Sequence, residues 1–233
     1  MDILGVIPAR SGSKGIKNKN IQKISNRTLL EISVKKLELL KKQRFIKDFI
    51  ISTDSEFYSD LLKVYGSKVQ IRPRYLSGDR TRIVELLNYI KKEHKNNYLL
   101  TLVPTAPLIT LTSIKKLIKF FIKNKTFSIG TVSKYHSTHP LLAMIKKKAD
   151  KFDYLIKGNF QRYPRQIRPD LYHFNGCVFI RHKKLISKNN YNNNCLGKLY
   201  TGFEISREES CNIDTLEDLN FCRKNFDAKK IFK

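Results

Sequence analysis

Ile3-Leu4-Gly5-Val6-Ile7-Pro8-Ala9-Arg10-Ser11-Gly12-Ser13-Lys14-Gly15-Ile16-Lys17-Asn18-Lys19-Asn20 starts as an apolar run long enough for a buried strand and breaks at Pro8 into a loop. The loop sets Gly12 and Gly15 among small hydroxyls and the cations Arg10, Lys14, Lys17 and Lys19. Glycines let backbone N–H groups converge on an anion and cations neutralise it, so the stretch has the chemistry of a phosphate cradle. It is not a Walker loop, because Ser13 rather than Lys follows Gly12, and it lacks the G-x-G-x-x-G spacing of dinucleotide sites. Taken alone, the loop reads equally well as a solvated turn.

Working outward, residues 28–44 carry Leu29, Leu30, Ile32, Ser33, Leu37 and Leu40 at helical spacing, with Lys35, Lys36, Lys41 and Lys42 expected to face solvent. Phe49 to Asp54 reads as a second strand, so the first fifty-odd residues predict a βαβ unit with parallel, adjacent strands. A helix from Ser55 to Tyr65 closed by Gly66, a short strand Val69–Ile71, a helix over 82–94 and a strand from Tyr98 to Val103 follow. Pro104-Thr105-Ala106-Pro107 stops that strand in an extended turn. A helix from Ser113 to Lys123, capped by Thr112 or Ser113, and a strand from Phe127 to Val132 complete this half. The alternation predicts an open, mostly parallel α/β sheet covered on both faces, with ligands at the carboxyl ends of its strands. The loops after Ile7, Ser52, Val103 and Val132 are therefore candidates to line one site.

Residues 136–171 lack a periodic helix and read as an excursion, a β-rich lobe or arm. The main pattern resumes with the strand Gly176–Ile180, an Asn-rich loop over 188–195, a strand from Tyr200 to Ile205, and a last helix from Thr215 through Cys222.

Composition excludes several classes. No apolar run reaches the roughly 20 residues needed to cross a bilayer, and no signal-peptide pattern opens the chain, so a cytoplasmic protein without membrane attachment is expected. Cys177, Cys195, Cys211 and Cys222 are irregularly spaced and read as reduced thiols. The net charge of +26 raises nucleic acid as a partner. Lysines spread along the whole chain, with no recognisable nucleic-acid motif, argue against it, whereas an anionic nucleotide substrate would be attracted by the same charge. Asn212 and Asp214 alternate on an extended segment and could share a face toward Mg²⁺; alternatively Asp214 or Thr215 merely caps a helix. Arg162, Arg165, Arg168 and His173 form a cluster suited to carboxylate or phosphate recognition, or equally to a solvated or oligomer-contacting surface.

The order and spacing of these blocks resemble the CMP-sugar synthetases, the acylneuraminate cytidylyltransferase family, from Ile3 to Leu219. The matching blocks are Ala9 to Asn20, Ser52-Thr53-Asp54, Arg72-Pro73 with Leu76 to Asp79, Pro104 to Leu108, His139-Pro140, Pro164-Arg165-Gln166, Asn175-Gly176 and Ile213-Asp214-Thr215. The resemblance implies a Rossmann-like nucleotidyltransferase, a single cytidylyltransferase domain over 1–233 with 136–171 as an inserted dimerisation arm. It implies transfer of CMP from CTP to the anomeric hydroxyl of a nine-carbon, or eight-carbon, 2-keto sugar acid, with Mg²⁺ or Mn²⁺, in a homodimer. Ala9, Arg10, Ser13, Lys19, Asn20 and Arg72 would bind the nucleotide, and Arg10, Lys19 and Asp214 would be catalytic. Arg165, Gln166 and Asn175 would meet the sugar, with Asp214 and Asn212 at the metal. Asn212, Val103, Ile109 and Leu142 depart from common family residues, which leaves a weakly active CTP-binding relative as the alternative.

Overall fold

The computed structural model describes residues 2–13, 15–63, 68–135, 139–158, 164–198 and 200–233. Lys14, Tyr65, Gly66, His136, Arg162 and the side chain of Arg165, each singled out in the sequence, lie outside this description.

In chain order the elements are β1 (Ile3–Ala9), the hairpin β2 (Lys23–Ile24) and β3 (Arg27–Thr28), α1 (Leu29–Lys42), β4 (Asp48–Thr53), α2 (Glu56–Lys63), β5 (Val69–Ile71), α3 (Ile83–Glu93), β6 (Tyr98–Leu102), α4 (Leu111–Asn124), β7 (Ser128–Lys134), the hairpin β8 (Met144–Lys146) and β9 (Phe152–Tyr154), β10 (Tyr172–His182), β11 (Thr201–Glu204), α5 (Leu216–Asn225) and α6 (Ala228–Ile231). Seven strands form the main sheet in the order β11-β7-β10-β6-β1-β4-β5. β1 lies parallel to β4 and to β6, as the βαβ pattern predicts, and β5 and β11 extend parallel pairing at the two edges. β10 alone runs antiparallel, between β6 and β7.

Continuous apolar runs make the central strands. Ile3, Val6, Ile7, Leu99, Leu100 and Leu102 are fully buried, because a central strand is covered on both faces. Three apolar clusters result. α1 and α4 pack on one face of the sheet, α3 covers the other, and α5 and α6 close over the β2–β3 hairpin and the start of α1. Thr28 starts α1 with a reciprocal capping box to Glu31.

Four readings are corrected. Lys36, expected to face solvent, is fully buried, because its Nζ reaches across to donate 2.8 Å to the Pro107 carbonyl. The cap of α4 is Thr110, whose hydroxyl accepts from Ser113 N, so the helix begins two residues earlier than the spacing suggested. β10 begins at Tyr172 rather than Gly176, with a register shift between Phe174 and Phe179 where Gly176 takes φ +77°. The Asn-rich stretch includes a 3-10 helix over Lys188–Asn193.

Candidate active site

The break after β1 follows from its residues. Ala9, wholly buried, is the last to pair with β4, and the chain then crosses the strand ends. Asp54, just beyond β4, accepts from Ser11 N at 2.8 Å and fixes where the loop starts. The loop's far end turns at Asn18 (φ 55°) into a 3-10 turn over Lys19–Ile21. There Asn20, 5% exposed, donates 2.8 Å to the Arg10 carbonyl and pins the far end of the loop to its beginning.

Against this loop lie two other segments. The turn after β6 supplies Val103, Pro104 and Thr105, and residues 213–214 arrive from the distant end of the chain. Ile213 N donates to Thr105 O at 2.8 Å. Lys19 Nζ donates to Ile213 O at 2.7 Å and pairs with Asp214 Oδ1 at 3.0 Å. Gly15 is required by this closeness, since a Cβ there would lie 2.6 Å from the Asp214 carbonyl oxygen. Between the three segments is a cavity of about 450 Å³, whose lining includes Arg10, Ser13, Gly15, Lys19, Asn20 and Asp214. Arg10 spans out to Asp79 Oδ1 at 3.0 Å and to Gly78 O.

Chemically this is an anion receptor with one carboxylate. Arg10 and Lys19 each hold a carboxylate in an exposed or half-exposed pair. Such pairs contribute little to stability, so exchanging them for phosphate oxygens costs little. Asp218 sets Asp214 in place. Burial alone would raise its pKa, yet the N–H groups of Asp214 (3.0 Å) and Thr215 (2.8 Å) hold it below the usual carboxylate value.

The remaining expected site residues are not among the residues that line this cavity. Arg72 is buried at the carboxyl end of β5, donating to Ser52 O and to Leu76 O, and is not in the cavity lining. Burial, with Arg10 nearby, lowers its pKa to about 10, while Asp54 opposes the shift. Asn212 is also absent from that lining; a Cβ on Gly176 would lie 3.8 Å from its Nδ2. Asn175 is buried and committed to a network, accepting from Thr131 Oγ1 at 2.6 Å and donating to Ser133 Oγ at 2.7 Å. Gln166 is exposed on a 3-10 turn, Arg165–Ile167.

Ser133 also lines a second cavity of about 490 Å³, beyond the end of β7. Its wall is mostly apolar, with Pro140, Ala143, Leu155 and Ile156, and it contains Arg207 and His173. His173 Nδ1 is buried there without a hydrogen-bond partner among the described residues. Among the described residues, the loop after β1 and the turn after β6 line the first cavity and the end of β7 lines the second, while Asp54 after β4 fixes the start of the first loop.

Sequence reasoning missed Lys36 and Asp218. Asp218 was detectable, since Thr215-x-x-Asp218 has capping-box spacing. Lys36 was not, because nothing local distinguishes it from the solvated lysines beside it.

Mg²⁺ fits the donor set. It is held by one or two carboxylates together with substrate phosphates, and the cavity offers the exposed Asp214 carboxylate beside a phosphate-sized cationic space. Among the described residues no group of three or more His, Cys, Asp or Glu forms a self-sufficient metal centre.

The family model described as cytidylyltransferase matches residues 4–161. The chain is 27% identical over 221 residues to an N-acylneuraminate cytidylyltransferase of Escherichia coli, covering 93% of this chain and 50% of that protein. It thus spans about half the length of that relative. A pseudaminic acid cytidylyltransferase of Campylobacter jejuni is 24% identical over 230 residues, covering 96% of this chain and 95% of that one. Among solved structures, a CMP:2-keto-3-deoxy-manno-octonic acid synthetase complexed with CTP shares the fold, with a TM-score of 0.68 at 14% identity, covering 95% of this chain and 97% of that one.

Proposed function

The chain belongs to the cytidylyltransferase family, and from that membership we propose that it transfers CMP from CTP to the anomeric hydroxyl of a sialic-acid-like 2-keto sugar acid, releasing pyrophosphate. The observation that carries the reading is the convergence of Arg10, Lys19 and Asp214 on one cavity at the carboxyl ends of β1 and β6. The similarity to N-acylneuraminate and pseudaminic acid cytidylyltransferases supports an acid of that class.

Phosphoryl transfer asks a protein mainly for alignment and charge neutralisation. Arg10 leaves Asp79 to hold the triphosphate at one side, and Lys19 leaves Asp214 to meet charge developing near the α-phosphorus. Ser13 and the backbone around Gly15 cradle the phosphates, and Asn20 keeps that loop closed through the Arg10 carbonyl. Mg²⁺ would be held by Asp214 with phosphate oxygens and would neutralise the departing pyrophosphate. Displacing Lys19 from Asp214 frees that carboxylate for the metal. Arg72 supports the cytidine side from beneath, by tying the ends of β4 and β5. The acceptor enters through the second cavity, where Arg207 and His173 suit its carboxylate and the apolar wall suits an acyl or deoxy group. Asn175 orders the Ser133 side of the second cavity through its bond to Ser133 Oγ.

We further propose that the arm dimerises. On it Phe152 (57%), Leu155 (58%) and Ile167 (63%) are exposed, a solvent cost that a second subunit would remove.

The test is pyrophosphate release with CTP, Mg²⁺ and a panel of N-acetylneuraminic, legionaminic, pseudaminic and eight-carbon keto acids, each component omitted in turn. Release that needs both CTP and one acid supports the reading and identifies the acceptor. CTP failing to bind at all would remove it.

A further inference from the structure

Cys211 and Cys222 face one another with their sulfurs 3.5 Å apart, the Cys222 thiol donating toward Cys211. That is van der Waals contact for two sulfurs, with no atom between them. Cys222 is buried within α5, packed against Leu108, Ile213 and Leu219. Cys211 is half-buried on the irregular segment that carries Ile213 and Asp214 into the cavity. The other thiols, Cys177 and Cys195, are fully buried. Of the four cysteines, Cys211 alone is not fully buried, and its sulfur is the one in contact with a second sulfur.

We propose that Cys211 and Cys222 form a peroxide-oxidisable thiol pair, whose closure into a disulfide displaces the 211–214 segment and reversibly shuts the cavity. The Cys211 sulfur attacks one oxygen of a hydroperoxide; the O–O bond breaks and a sulfenic acid and water (from hydrogen peroxide) are formed. The Cys222 sulfur then attacks the Cys211 sulfur, the S–O bond breaks, and hydroxide leaves with the Cys222 proton as water. Two thiols and one peroxide give one disulfide and two waters. The peroxide is the oxidant.

The coupling to the cavity is geometric. A disulfide brings its sulfurs to about 2.05 Å, so roughly 1.5 Å of approach is needed. Cys222 is held by its helix, which leaves Cys211 to move. Its backbone N–H donates to Glu208 O at a long 3.3 Å. Two residues later Ile213 is held on both sides, by Thr105 O and by Lys19 Nζ. Drawing Cys211 toward α5 pulls on both bonds and on the Lys19–Asp214 pair. A misplacement of ~1 Å at a reacting centre costs up to ~100-fold in rate.

The experiment treats the intact protein with hydrogen peroxide, maps the cross-link by peptide mass, and follows CTP binding and pyrophosphate release before and after dithiothreitol. The expected result is a loss of two hydrogens mapped to Cys211–Cys222, with at least about a tenfold fall in release that reductant restores. Cys222→Ala should keep basal release and resist peroxide; if that variant does not fold, Cys211→Ser makes the same comparison. A cross-link through Cys177, over-oxidation without a cross-link, or a 211–222 disulfide with unchanged CTP binding and release would each overturn the proposal. The cross-link is read by mass without turnover, so its failure is distinguishable from failure of the cytidylyl-transfer reading on which the activity arm rests.

Discussion

Lys19 joins sequence neighbours of the first strand to residues nearly two hundred positions away, through Ile213 O and Asp214 Oδ1. Its side chain is 12% exposed while that of Asp214 is 80% exposed, so the lysine is the buried partner and the carboxylate the solvent-facing one. Removing the lysine should therefore leave the fold standing and take away positive charge where the transition state needs it. Lys19→Ala is expected to lower kcat/KM by about 10²–10³, as for losing one preorganised donor, with a thermal midpoint close to wild type; near-normal turnover would remove Lys19 from this role. Gly15 makes a second prediction at the same scale. A methyl group there meets the Asp214 carbonyl at 2.6 Å, and backbone on the other side cannot give way as a flexible side chain would. Gly15→Ala should weaken CTP binding and turnover together while leaving far-ultraviolet circular dichroism unchanged. An enzyme with wild-type affinity would show that the loop and residue 214 do not need to approach so closely.

At the scale of elements, α1 does more than cover the sheet. It carries Lys36 beneath the 104–107 turn, where burial lowers the ammonium's pKa to about 7 against the nearby thiols Cys177 and Cys222 and the carboxylate of Glu209, which oppose the shift. The folded chain releases this proton near pH 7, whereas the unfolded chain keeps it up to an ordinary lysine value of about 10.4. Between those values the unfolded state binds more protons, so this group makes stability rise with pH and removes that contribution as pH falls through 7. Denaturant titrations at pH 6.5 and 9 should show a smaller pH-dependent gain for Lys36→Met than for wild type; equal gains would mean that the buried amine does not titrate there.

The same element shows what could and could not be seen in the sequence. The β1–α1–β4 unit was legible because a buried parallel strand is an unbroken apolar run and an amphipathic helix repeats its apolar positions. The inward turn of Lys36 was not, because it depends on a carbonyl 71 residues away. The start of β10 was obscured by Gly176, whose positive φ and the adjacent register shift break the alternation that marks a strand. The phosphate-cradle character of residues 10–20 was legible from glycines and cations. Its pairing with Asp214 was suggested only by family resemblance, since no local pattern reports a contact across the chain.

The whole molecule has a net charge of +26, its lysines and arginines spread along the chain. An anionic substrate is drawn toward such a surface over distances of about a Debye length, roughly 10 Å at 0.1 M salt. The arm is the other feature of this scale. If its apolar side chains meet a second subunit, Phe152→Asp with Leu155→Asp should shift sedimentation from dimer to monomer, and a wild type that sediments as a monomer at micromolar concentration would contradict the proposed pairing.

The central claim is that an acid's hydroxyl attacks the α-phosphorus of CTP held between Arg10, Lys19 and Asp214. The most direct measurement follows CTP labelled at the α-phosphate and, separately, at the γ-phosphate in the presence of each acid. The α label is expected to move into an acid-dependent product while the γ label leaves as pyrophosphate, and Lys19→Ala is expected to slow both by about 10²–10³-fold. Label released instead as inorganic phosphate with CDP, or retained in CTP with every acid despite binding, would contradict it.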